Sequence, residues 1–118
     1  MATLNHLHLH VRSVEQAKAF YETHFGLREH VRHGDVVFLR DDGGMDLALA
    51  PSPQPDVMPP WFHFGFRLAT PEAVRTLHAA LPADAIAEPL SDAPDFTVFR
   101  CRDPDGHLIE VYWEPQPA

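Results

Sequence analysis

Imidazole and carboxylate side chains recur along this chain at alternate positions, a spacing that turns them to one side of an extended backbone. His6, His8 and His10 alternate with Leu7, Leu9 and Val11, and Arg12 continues the polar set. Period two is the mark of a half-buried strand. The same parity sets Asp46 against Met45 and Leu47, His63 and Arg67 against Phe62, Phe64, Phe66 and Leu68, and Glu110 against Ile109 and Val111. Seven side chains, His6, His8, His10, Asp46, His63, Arg67 and Glu110, are therefore expected on strand faces opposite those that pack on helices. On a curled sheet they would line one concavity. Neutral imidazole and carboxylate are ligands that borderline divalent metals accept, and two His with one carboxylate leave positions open. An open position lets a metal polarise a carbonyl or bind a second reactant.

Taken singly, each of these histidines reads as a solvated strand residue or a core imidazole bonded to backbone. His6 and His63 stand apart because they hold equivalent places in a repeated plan. The strand around 4–12 leads to Ser13, a helix N-cap with Gln16 three residues on. Ala17, Phe20, Tyr21 and His24 fall on one helical face, and Gly26 supplies the stop. Strands are expected near 35–40 and 45–50, with Asp41-Asp42-Gly43-Gly44 as the hairpin turn between them. Segment 51–60 carries five prolines and reads as a stiff, extended linker. The plan then repeats. A strand over 62–68 precedes Thr70 as N-cap and Pro71 at the first helical position. The helix runs to about Leu81, and Pro82 closes it. Strands near 96–101 and 107–113 follow, joined by the turn Asp103-Pro104-Asp105-Gly106. His6 and Ser13 each lie 57 residues before their counterparts His63 and Thr70, and Phe20 matches Leu77. That is an internal duplication. One α+β domain over 1–118 is expected, with modules of about 1–50 and 61–118 on either side of the linker.

At 118 residues with 45% hydrophobic content, the chain is long enough to bury a real core. Its formal charge is −8, and its nine Lys and Arg form no run, which argues against nucleic acid or an anionic membrane as partner. No apolar stretch approaches the roughly 18 residues of a spanning helix, and the first residues lack the form of a signal peptide. Cys101 is the single cysteine, so no disulfide framework exists and a reducing cytoplasm is the expected compartment. Its parity with Thr97 and Phe99 turns it toward the helix side as a small core residue. His24, His30, His33, His78 and His107 fall on helices, loops or turns and are expected to be exposed. Trp61 and Trp113 are read as packing or interface residues.

Leu4-Asn5-His6-Leu7 before a Ser-capped helix with Ala19-Phe20-Tyr21 and Phe25-Gly26-Leu27 resembles the glyoxalase / bleomycin-resistance / extradiol-dioxygenase superfamily, the vicinal oxygen chelate fold. So does the closing Asp103-Pro104-Asp105-Gly106-His107-Leu108-Ile109-Glu110. The resemblance covers nearly the whole chain. It implies two βαβββ modules forming a cupped mixed sheet that chelates a divalent metal (Fe, Mn, Ni, Co or Zn). Carried over by position, the ligands it implies are His6, His63 and Glu110. The glyoxalase I branch adds a Glu on the last strand of the first module, where this sequence is read as having Asp46, a ligand or a proton-transfer group. The fosfomycin-resistance branch has a Thr two residues after the first His and a Tyr ten residues before the closing Glu; here those are His8 and Arg100. Extradiol dioxygenases also carry a Tyr at the Arg100 position and a further catalytic His, a part His8 could fill. Bleomycin-binding members dispense with the metal ligands, so the retained trio argues against simple drug sequestration.

The resemblance thus implies a metal-dependent enzyme acting on a small oxygenated molecule, with Asp46 or His8 moving a proton. Asp46 tips the expectation toward isomerase or lyase chemistry; an extradiol dioxygenase and a non-enzymatic binding or resistance protein are the alternatives. His10, Arg67, Arg100 and Tyr112 are candidates for substrate contact, the two guanidinium groups because their fork matches a carboxylate. Related two-module proteins pair modules across a homodimer. A shared site with His6 from one subunit and His63 and Glu110 from the other is therefore expected.

Overall fold

In the computed structural model, which describes residues 1–117, the chain divides into two compact units, Met1–Val57 and the part from Met58 onward. Each is a βαβββ unit, so the fold is α+β and built twice.

The first unit runs β1 (His6–Val11), α1 (Val14–Phe25), β2 (Arg28–His33), β3 (Val36–Arg40) and β4 (Asp46–Pro51). Its sheet order is β1-β4-β3-β2, with β1 parallel to β4 and the other pairs antiparallel. The helix begins where Ser13 Oγ accepts the Gln16 N–H at 3.2 Å, closing one of the free donors of a helix start. It stops at Gly26, whose φ of 70° is the left-handed cap that a side chain would strain. Ala17 and Tyr21 are buried on its inner face, together with Leu9, Val11, Val37, Leu39, Leu47 and Leu49 from the strands. In β1 burial alternates as parity requires, Leu9 and Val11 inside and His6, His8 and His10 exposed.

The second unit runs β5 (Phe64–Arg67), α2 (Pro71–Ala80), a 3-10 turn (Ala83–Ala85), β6 (Ile86–Ala93), β7 (Phe96–Arg102) and β8 (Leu108–Trp113). The order is β5-β8-β7-β6, again with one parallel pair, β5 and β8. Thr70 Oγ1 caps α2 by accepting from Ala73 N–H, and Pro71 opens the helix. Val74, Leu81, Thr97, Phe99, Cys101, Ile109 and Val111 form the core. Burial, and secondarily the charge of Asp103, pushes the Cys101 thiol up to about 12, as befits an inert core residue.

Three features differ from the sequence expectations. β2 and β6 are strands that alternation did not locate. β2 reads Arg-Glu-His-Val-Arg-His, and both are edge strands with mostly exposed side chains, so no apolar face marks them. His63 precedes β5 rather than lying within it. His107 is buried, not exposed: its Nδ1 lies 2.7 Å from Asp103 Oδ2, and Asp103 is buried with it. The turn folds inward because Asp103 Oδ1 also accepts the Asp105 and His107 N–H groups. Among the described residues no helix is long and apolar enough to cross a membrane.

Candidate metal centre

In the second unit the imidazole of His63 meets the carboxylate of Glu110, with Nε2 3.3 Å from Oε2. β8 places Glu110, and the parallel pairing sets it beside Gly65 of β5, two residues after His63. Nδ1 of His63 lies 3.1 Å from the Trp61 carbonyl. A carbonyl only accepts, so Nδ1 is the nitrogen that donates there, and Nε2 is the ring nitrogen that faces Glu110. Ligand bonds of about 2.0–2.2 Å would set two donor atoms on one cation about 3.0–3.5 Å apart. The observed separation falls in that range, so this pair fits a divalent metal.

His6 is prepared in the same way within the first unit. Its Nδ1 lies 3.0 Å from Asn5 Oδ1, and Asn5 is itself anchored because its carbonyl accepts the Asp46 N–H at 2.7 Å. The second ring nitrogen is the candidate donor atom. Tying the far nitrogen of a histidine to an oxygen fixes its tautomer and aim, the usual support of a metal-ligating imidazole. Within neither unit do three His, Cys, Asp or Glu side chains gather into one cluster, among the described residues.

Asp46 sits beside His6 in the β1–β4 register, but it is committed elsewhere. Arg40 grips it with two bonds, Nε to Oδ1 at 2.7 Å and Nη2 to Oδ2 at 3.0 Å. That clamp, helped by the fields of His30 and His6, holds the Asp46 carboxyl below the usual carboxylate range. A carboxylate so stabilised is a weak base. Its position also differs from the expectation. In the first unit Leu7 pairs with Leu47, and in the second Phe64 pairs with Ile109. Leu47 therefore matches Ile109, Ala48 matches Glu110, and Asp46 matches Leu108. The turns agree. Asp41 Oδ1 accepts the Gly43 and Met45 N–H groups, as Asp103 Oδ1 accepts those of Asp105 and His107, and Gly44 and Gly106 have φ of 87° and 88°. Ala48, not Asp46, stands where a fourth carboxylate would be.

The other candidates are distributed as follows. His8 lies beside Ala48 in register, its ring edge-on to His10 with centroids 5.2 Å apart. His10 Nδ1 is 4.0 Å from Asp56 Oδ2. Arg67 is tied to Glu114, through Oε1 at 3.2 Å and through its backbone carbonyl. Arg100 donates to Glu110 Oε2 at 3.2 Å and lies 3.4 Å from Glu88 Oε2. Tyr112 packs near Phe96 and beside Gly65. Glu88 was missed by sequence reasoning; only the irregular pairing of β6, invisible in sequence, aims it at Arg100.

The family model described as Glyoxalase/Bleomycin resistance protein/Dioxygenase superfamily matches residues 3–111. The chain belongs to this superfamily. A relative, an uncharacterized protein of Pseudomonas aeruginosa, is 33% identical over 96% of this chain and 90% of its own length. The manganese-dependent 2,3-dihydroxybiphenyl 1,2-dioxygenase of Geobacillus genomosp. 3 is 29% identical over 97% of this chain, which spans 37% of that protein. Among solved structures, a possible glyoxalase from Bacillus cereus superposes with a TM-score of 0.79 at 31% identity, covering 94% of this chain and 98% of that one.

Proposed function

We propose that this superfamily member is a metal-dependent enzyme acting on a small molecule that offers two neighbouring oxygens, with His6, His63 and Glu110 as the protein ligands. The observation that carries the reading is the aim of His63: Nδ1 satisfied by the Trp61 carbonyl, Nε2 turned to Glu110 Oε2 at 3.3 Å. A divalent cation held by two imidazoles and one carboxylate supplies charge that stabilises an oxyanion and keeps positions for substrate oxygens. The chain's own residues aim the ligands, and His8, exposed on the same strand face as His6, is the side chain suited to move a proton. Asp46 is not, since Arg40 occupies both its oxygens.

With Ala48 at the place matching Glu110, the ground for preferring isomerase or lyase chemistry falls away. Two imidazoles with one carboxylate and open positions is the ligand set of oxygenases, and a manganese-dependent dioxygenase is among the similar proteins. Oxygen-dependent cleavage of a vicinal diol is the activity we favour. We further propose that the working form is a homodimer in the reducing cytoplasm, with His6 contributed by one subunit and His63 and Glu110 by the other. The test is metal analysis of tag-free protein followed by aerobic assay on catechols with added Fe(II) or Mn(II). Stoichiometric metal in the parent, lost in His63→Ala, is expected; a metal-free parent that gains none on reconstitution sinks the proposal.

One observation favours a second reading. Arg100 already neutralises Glu110, as a cup that binds small molecules without metal would require. In that case ligand binding, not metal content, survives His63→Ala.

A further inference from the structure

Four registered residues form a row straight across the second sheet: Glu88 on β6, Arg100 on β7, Glu110 on β8 and Gly65 on β5. Arg100 lies between two carboxylates. Nη2 donates to Glu110 Oε2 at 3.2 Å, and Nε lies 3.4 Å from Glu88 Oε2. The register of β6 shifts on both sides of Glu88, between Ile86 and Glu88 and again between Glu88 and Ser91. Bulges re-aim the side chains they flank, and these two hold Glu88 opposite Arg100.

The oxygen that Arg100 grips is the same Oε2 that faces His63. The guanidinium holds that oxygen on one side while His63 Nε2 faces it on the other, so the carboxylate of Glu110 cannot turn without breaking the Arg100 bond. Glu110 and Arg100 side chains are 21% and 27% exposed, so water screens this contact less than it does the Glu88 contact, where Glu88 is 59% exposed. On the Gly65 side the partner strand contributes no side chain at this register, and the Tyr112 ring lies against the glycine. Arg100 therefore approaches Glu110 from the side away from the parallel partner strand.

We propose that Arg100 is a positioning residue for Glu110, holding the carboxylate at His63 through its fork rather than touching substrate. This rests on the reading that His63 and Glu110 hold a metal. A guanidinium can engage two carboxylates at once through separate N–H groups, whereas an ammonium is a single point charge on a flexible stem. Retained charge is therefore not enough; the fork is what matters.

The experiment is titration of the full-length protein with Co(II), followed by its visible absorption, for parent, Arg100→Gln, Arg100→Lys and His63→Ala. Loss of a hydrogen-bonding partner behind a metal ligand weakens metal binding by about ten- to a hundredfold. That loss is expected in both Arg100→Gln and Arg100→Lys, with an altered band shape, at unchanged thermal stability of the metal-free protein. Binding as tight as the parent's, or tighter, in Arg100→Gln overturns the proposal, and so does full rescue by Arg100→Lys. If Arg100→Gln does not fold, Glu88→Gln replaces it: it frees one arm of the fork and is expected to weaken Co(II) binding by several-fold, parent-like binding again overturning the proposal. His63→Ala separates the two ideas. A parent that fails to bind Co(II), or a His63→Ala variant that binds like the parent, refutes the metal centre itself. A normal parent and a defective His63→Ala beside a parent-like Arg100→Gln refute only the role of Arg100.

Discussion

Asp103 holds His107 through a buried 2.7 Å contact between Oδ2 and Nδ1, while its other oxygen accepts two backbone N–H groups. Asp41 makes the same two backbone bonds from an exposed to half-buried turn, with no histidine attached. The pair is an internal control for burial. Asp103→Ala removes the partner of a buried ring nitrogen, of the buried His107 N–H and of the half-buried Asp105 N–H, at a cost of about 3 kcal/mol or more. Asp41→Ala exposes its freed donors to water and is expected to cost about 1 kcal/mol. Urea unfolding of the two variants checks the ordering; equal losses contradict it.

Asp46 serves structure through Arg40, so Asp46→Asn is expected to leave metal stoichiometry unchanged. Arg40 is 41% exposed, and water discounts the pair, so the stability loss is about 1 kcal/mol. Metal analysis beside a thermal melt reads both effects. Loss of metal would return Asp46 to the centre.

Glu29 bridges α1 and β2 through Arg32 and Lys18, and these bonds, Arg32 first, lower its carboxyl to about 2. A group depressed in the folded state stabilises above its unfolded value and ceases to do so as pH falls through the folded one. The contribution is full above the ordinary value of 4.5 and is lost on the way to about 2. Glu29→Gln should therefore lower the melting temperature at pH 6, and the gap to the parent should close toward pH 2. A gap that stays constant across that range contradicts the assignment.

Cys101 is fully buried with its thiol raised to about 12. A neutral-pH thiol reagent is expected to label it only as fast as the second unit opens, and at full rate in denaturant. Rapid stoichiometric labelling of the native protein would show that this core is not closed.

Much of the scaffold could be read from residue types alone. Ser13, Gly26, Thr70 and Pro71 mark helix ends because each satisfies or frees a backbone group whatever surrounds it. The alternation of β1 shows because one face is buried. β2 and β6 escaped because edge strands need no apolar face. Asp46 and Ala48 share a face, and parity cannot tell which of them is the counterpart of Glu110, because it assigns a face and not a place along the strand. Only the pairing of Leu47 and Ile109 with their parallel neighbours shows that Ala48 holds that place. Arg67 and Arg100 looked available for substrate, since sequence does not reveal that Glu114 and Glu88 lie within reach.

Trp61 carries a last consequence. Its carbonyl lies 3.1 Å from His63 Nδ1, and the residue is 73% exposed. Backbone and indole belong to one residue, so a ligand that shifts His63 also shifts the surroundings of the chromophore. In a Trp113→Phe variant, which leaves Trp61 as the one tryptophan, intrinsic emission is therefore expected to change on metal titration, an optical readout that needs no attached label.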